Sequence, residues 1–134
     1  SSSAYKELID YGNILGEKTE SAIILGMPED SKKRHFESLR FGIDNNAKVV
    51  RMFQAMLLVG TEMASRSTRK KYELKSKFRT IPGCLGVYDI MGGKHSVAEI
   101  EEIIVGSNTL SQEDYIDCRI MNLFITTFYN NSIF

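Results

Sequence analysis

Two short apolar runs, each stopped by a glycine and separated by a helix-length segment, constrain this chain more than any other feature. The first is residues 21–25, ending at Gly26 before Met27, Pro28, Glu29 and Asp30. The second is residues 49–59, ending at Gly60 before Thr61 and Glu62. Between them Phe36, Leu39 and Ile43 recur at helical spacing. Strand, glycine-ended loop, helix, strand is the pattern of a parallel βαβ unit, because parallel strands need a crossover long enough to hold a helix. In such units ligands gather at the loops after the strands' carboxyl ends. The pattern predicts an α/β fold and puts the candidate site at residues 26–30 and 60–62.

Local signals define the flanking segments. An amphipathic helix is expected first, with Ala4, Leu8, Tyr11 and Leu15 as its stripe, Ser3 as cap and Gly16 as stop. The run 21–25 is apolar on both faces, as a parallel strand covered on both sides would be. Asp30 or Ser31 caps the next helix, and Asn45-Asn46 stops it in the left-handed conformation. In the run 49–59, Arg51, Phe53, Ala55, Leu57 and Val59 share one face; Val50, Met52, Gln54, Met56 and Leu58 share the other. Gln54 is the polar residue at the centre. Its face is therefore expected to point away from the crossover helix, toward substrate, with Phe53 and Leu57 under the helix. A basic helical segment is expected over residues 61–74, then a short extended piece at 78–81. Gly83, Gly86, Gly92 and Gly93 suggest an irregular region. Residues 98–105, with Ile100, Ile103, Ile104 and Val105, read as a strand. Ser111 caps a final amphipathic helix with the stripe Ile116, Ile120, Leu123, Phe124 and Phe128, which Asn130-Asn131 stops.

Composition narrows the function classes. Lys plus Arg and Asp plus Glu both number 17 in 134 residues. No bulk charge draws the chain to nucleic acid. No apolar run approaches the roughly 20 residues of a bilayer span, and no charged-then-apolar leader opens the chain. Cys84 and Cys118 are far apart and without ligand spacing, which suits a reducing cytoplasm. One domain without a membrane span is expected.

The residues at the candidate site resemble a family. Ala22-x-Ile24-x-Gly26-x-x-Glu29 is similar to the GxIxGxxE element that radical SAM enzymes carry on the fifth strand of their barrel, with Ala22 in place of the first glycine. LGMPEDSKKRHFESLRFGID resembles the strand–helix of that superfamily, and LLVGTEMA the end of its sixth strand. RTIPGCLGVYDI and EIEEIIVGSNTLSQEDYIDCR resemble the segments beyond the barrel in the cobalamin-associated branch. The resemblance implies a partial TIM-type barrel, with Ile24, Gly26 and Glu29 on the adenine side of S-adenosylmethionine and Gln54, Met56, Thr61 and Glu62 on a substrate wall. It also implies a 4Fe–4S cluster in the intact parent protein, with cobalamin a further candidate cofactor. That cluster is bound by a CxxxCxxC loop, a spacing this sequence lacks, and two distant cysteines are too few thiolates to replace it. A complete barrel runs to about 250 residues. The chain is thus expected to be a carboxyl-terminal piece, holding no cofactor alone and partnered by the amino-terminal part of the barrel. The start at Ser1-Ser2-Ser3, without methionine, is expected of such a piece. Apolar surface left by the missing part would drive homo-oligomerisation of the isolated chain.

Plainer readings stand beside these. Gly26 can serve a turn with no ligand, Glu29 and Asp30 can complement a helix dipole, and Ile24 can be core. His35 and His95 read as surface histidines and Cys118 as a small packing residue. The basic cluster Arg66, Arg69, Lys70 and Lys71 reads as a solvated face or a phosphate grip. The alternative function is a non-catalytic α/β interaction module that docks a partner through its final helix.

Overall fold

Two helix stops fix the start of the fold. The computed structural model describes residues 2–133. Helix α1 (Ser2–Ile14) ends in a Schellman motif: Gly16, at φ +77°, donates to Asn13, and Glu17 donates to Gly12. Helix α2 (Lys32–Asp44) ends the same way on Asn46, at φ +59°, which donates to Ile43 while Ala47 donates to Gly42. Ser31 caps α2 by accepting from the Arg34 amide at 3.3 Å. Ser3 already lies inside α1, so the cap position falls outside the described residues.

Each stop returns the chain into a strand. Strands β1 (Glu20–Leu25) and β2 (Val49–Gln54) pair in parallel, with Ser21 opposite Val50, Ile23 opposite Met52 and Leu25 opposite Gln54. The predicted βαβ unit is present. Helix α2 approaches closely at Gly42, where a Cβ would stand 3.1 Å from a Val50 methyl and 3.4 Å from the Ser21 hydroxyl. The helix therefore covers the face of Ser21, Ile23, Val50 and Met52. Ile23 and Val50 join Ile9, Leu39, Ala47 and Ile125 in one core, and Met52 and Leu25 join Ile103, Leu110, Tyr115 and Cys118 in a second.

That geometry inverts the face expected for Gln54. Gln54 shares the helix side with Val50 and Met52, and its amide is consumed there. It donates to the Tyr115 hydroxyl and accepts from the Arg79 guanidinium. A polar group can sit on the covered side once it is hydrogen-bonded. Phe53 is on the opposite face, 48% exposed, beside Ile24 at 52%. Strand β1 is correspondingly covered on one side only, not two.

After Gln54 the chain leaves the parallel layer. Ala55 donates its N–H to Leu25 of β1 at 2.9 Å, but its carbonyl accepts from Ile104 at 3.0 Å. In a regular strand both groups would face one neighbour. Met56 then bridges Ile103 in antiparallel sense, and Leu57 donates to Glu102 at 2.8 Å. Those partners belong to a hairpin of β3 (Lys75–Ile90) and β4 (Gly93–Gly106). The expected irregular region is part of this hairpin. Met91 and Gly92, at φ +52° and +78°, make the two-residue turn, and Gly83, at φ +79°, sits in the register shift between Thr80 and Leu85. Short helix α3 (Arg66–Lys71) precedes the hairpin and is shorter than the segment predicted. Met63, Ala64 and Leu74 cover a third core of Ala55, Leu57 and Ile104. Among the described residues the strands form a mixed α/β arrangement and no closed barrel.

Helix α4 (Gln112–Phe124), capped by Ser111, runs on into a π-helical turn (Ile125–Tyr129). It buries Tyr115, Cys118 and Ile125, so Ile116, Ile120, Leu123 and Phe124 face outward, the reverse of the expected stripe. Helix α1 departs likewise: Ile9 is buried while Leu8, Tyr11 and Leu15 are exposed. Past the π turn, Asn130 meets β2. Its Oδ1 accepts from the Val50 N–H at 2.9 Å and its Nδ2 donates to the Val50 carbonyl at 3.0 Å. Val49 and Ala55 point their N–H groups at the β1 side, so Val50 presents its own to the far edge. Asn130 occupies that edge as a strand would. Tyr129 adds a 2.7 Å bond to the Ala47 carbonyl. No helix among the described residues is long and apolar enough to cross a membrane.

Asn130→Ala would leave two backbone groups of fully buried Val50 unpaired. It should cost about 2–6 kcal/mol, given roughly 1–3 kcal/mol for each of the two buried unsatisfied groups. Thermal and urea unfolding measure it; a change below about 0.5 kcal/mol, the scale of an ordinary surface substitution, would show that the edge is held otherwise.

Candidate functional site

The carboxyl end of β1 is built around one strained turn. Gly26 takes φ +91° and is buried against β4, where a Cβ would stand 3.5 Å from the Ile104 carbonyl oxygen. Its N–H donates to Asp30 Oδ2 at 3.1 Å, Asp30 Oδ1 accepts from Ser31 at 2.8 Å, and the Asp30 carbonyl accepts from Thr109 at 2.7 Å. Asp30 thus locks the loop to the start of α2 and to the segment after β4. Glu29 is held at φ +66°, a left-handed conformation that a residue with a Cβ adopts at a cost. The Arg34 guanidinium donates to its carbonyl at 3.1 Å.

This loop divides two clefts. The first, about 290 Å³, is lined by Ile24, Glu29, Asp30, Arg34, His35 and Ser38 among others. Ile24 and Glu29, both predicted for the adenine side, come together here. Gly26 lies behind the loop and shapes it. His35 is not on the surface as expected: it is 1% exposed, and its Nε2 has no hydrogen-bond partner among the described residues. Burial holds the imidazole below its usual range, with Asp30 pulling weakly the other way.

The second cleft, about 490 Å³, lies between Met27-Pro28 and helix α3 and is floored by Glu62, Met63, Lys71 and Tyr72. Its size falls in the roughly 300–1,000 Å³ range of small-molecule sites. The residues predicted for a substrate wall do not converge. Glu62 lines this cleft. Thr61 instead closes its own turn, donating to the Leu58 carbonyl at 2.7 Å and accepting from Ala64 at 3.4 Å. Met56 is in the bridge to Ile103, and Gln54 is tied to Tyr115 and Arg79. Sequence reasoning weighed Lys71 only as one of a basic cluster, a solvated face or a phosphate grip, and missed Tyr72. The Lys71 ammonium stands 4.6 Å over the Tyr72 ring. Its pKa is raised, first by a hydrogen bond with the Tyr72 side chain, with Glu29 and Glu62 adding to the effect.

One ion pair holds α3, and with it the cleft wall. Arg69 forks onto Glu102 of β4 at 2.6 and 2.7 Å, its Nε donates to the Ala64 carbonyl at 2.9 Å, and Ser76 donates to the same carboxylate. The basic cluster is therefore part anchor rather than wholly solvated. Arg69 and Ser76 pull Glu102 well below the usual carboxylate range, from 4.5 to about 2. A lowered carboxylate pKa means that the unfolded chain binds the proton more readily. The pair's contribution is complete above about pH 4.5 and is lost as pH falls toward 2. Glu102→Gln should flatten the stability profile in that window; an unchanged acid limb would contradict this anchor.

Cys118 is fully buried with its thiol pushed up to about 11, and Cys84 lies on β3. Among the described residues no group of three or more His, Cys, Asp or Glu side chains is placed to hold a metal ion. No family model matches this chain, and no curated protein matches it.

Proposed function

We propose that this chain is the carboxyl-terminal portion of a cytoplasmic radical SAM enzyme, with β1 and β2 the last two strands of a partial barrel. It contributes adenine-side contacts and part of a substrate wall and is not catalytic alone. The observation that carries this is the asymmetry of the β1–β2 pair. The far edge of β2 is closed by Asn130 and the antiparallel bonds to β4, whereas β1 has no strand on its other edge among the described residues. A layer finished on one side and bare on the other fits one that continues past β1. The uncovered face, with Ile24 and Phe53, is where such a barrel would have its interior.

The groups implied by the resemblance fit unequally. Ile24, Met27 and Pro28 offer apolar surface and Glu29 an acceptor beside it, a donor set suited to a purine bearing an amino group. S-adenosylmethionine would supply the radical chemistry, while these residues bind and orient it and exclude water. The cluster does not fit this chain, whose two cysteines are a buried thiol and a distant one on the hairpin. Cobalamin rests on the resemblance alone.

The test is the parent reading frame. A CxxxCxxC upstream of Ser1 is expected, together with an iron–sulfur chromophore and reductive formation of 5′-deoxyadenosine in the full protein. Ile24→Ala should raise the KM for S-adenosylmethionine by roughly tenfold, the size of one lost apolar contact. A frame lacking the cysteine motif would overturn the proposal. The rival interaction module is favoured by the outward apolar face of α4, where Ile116, Ile120, Leu123 and Phe124 are each about half exposed.

A further inference from the structure

We propose that the cleft between the β1–α2 loop and α3 binds the zwitterionic end of an apolar amino acid, its ammonium on Glu62 and its carboxylate on Lys71. The proposal deepens the substrate-side reading of Glu62 and rests on that reading only for the idea that this cleft faces a substrate. Glu62 and Lys71 line one cleft, yet no ion pair joins Lys71 to Glu62 or to nearby Glu29 among the described residues. The Lys71 ammonium rests on Tyr72, and both charged side chains remain exposed in one concave site, within reach of a ligand that carries both charges. The balance of charge selects which ligand. Glu62 in the lining and Glu29 beside it both act on Lys71, so a ligand that brings an ammonium along with its carboxylate gains over one that is only an anion.

The rest of the lining sets the side chain. Met27, Pro28, Met63 and the Tyr72 ring present apolar surface, and the thioethers adapt to shape. Ser67 and Thr68 add hydroxyls at the rim. Both walls are fixed before any ligand arrives. The loop is pinned by the 3.0 Å bond from the Asp30 N–H to the Met27 carbonyl and by the Asp30 carboxylate. The Glu62 turn is closed by Thr61, and the Tyr72 carbonyl accepts from Asn108 at 2.9 Å. A preorganised site loses little conformational freedom on binding, so a small ligand can be held by few contacts.

Calorimetric titration of the chain with L-leucine, combined with amide NMR, tests this. Saturable binding is expected, with shifts at Met27 and across residues 62–72. N-acetyl-L-leucine lacks the ammonium and L-leucinamide the carboxylate; each should bind about tenfold more weakly or worse, as should leucine itself to Glu62→Gln and Lys71→Gln. Both side chains are exposed and outside the core, and unchanged amide spectra elsewhere would verify folding. Three results would each overturn the proposal: no shifts with leucine at tens of millimolar, equal binding of the amide, or unaltered affinity in both variants. Inorganic phosphate shifting the same amides more strongly than leucine would also overturn it. The titration needs neither cluster nor S-adenosylmethionine. Its failure would leave the radical SAM proposal standing, and an upstream frame without cysteines would leave this one standing.

Discussion

Asn130 does for β2 what another strand would do. By taking both backbone groups of Val50 at 2.9 and 3.0 Å, it closes the edge of a buried strand at its start. A side-chain amide can do this because it has a donor and an acceptor side by side, as a peptide does. It reaches β2 because α4 ends in a π turn that sets Tyr129 against Ala47 and Asn130 against Val50. At the other end of the strand the same edge passes to β4 through Ala55, which divides its bonds between β1 and Ile104. The hairpin, the turn that presents Glu62, and α3 behind Arg69–Glu102 are placed by that handover.

The uncovered surfaces lie elsewhere. Among the described residues strand β1 has no strand on its other edge, Ile24 and Phe53 are half exposed on the face away from α2, and Leu8, Tyr11, Ile14 and Leu15 line the outside of α1. Scattered exposed apolar residues need no explanation, but Ile24 and Phe53, paired across β1 and β2 and both about half exposed, do. At roughly 25 cal/mol per Å² of apolar surface removed from water, covering such a face is a substantial driving force. The proposed function gives it a cover: the preceding strands and helices of a larger barrel.

The order of elements through β2, both left-handed helix stops and the caps at Ser31 and Ser111 were legible in the sequence because each depends on a few adjacent residues; the Ser3 cap and the long strand β3 were not. Asn46 is legible as a stop since it can adopt φ +59°, whatever surrounds it. Which stripe of a helix is buried depends on distant partners, and there periodicity misled. On α1 the more numerous Leu8, Tyr11 and Leu15 lose to Ile9, which meets Leu39 and Val50. Gln54 pointed the wrong way for the same reason, since its partners Tyr115 and Arg79 are 61 and 25 residues away. At the site, Ile24 and Glu29 were legible from their resemblance to a motif and Glu62 from its place after an apolar run. Lys71 was visible only as one of a basic cluster whose composition resembles any solvated helix, and Tyr72 was hidden beside it. His35 was hidden in a charged helix, and only the packing of α2 buries it.

Sedimentation of the isolated chain across the micromolar range tests most directly whether the β1–β2 layer is incomplete. Self-association is expected, burying on the order of 1,200 Å² or more in a specific pair, and Ile24→Glu with Phe53→Glu should return the chain to a monomer. A wild-type chain that stays monomeric throughout, with no gain in solubility from the two glutamates, would mean that the layer needs no further cover and would contradict the account.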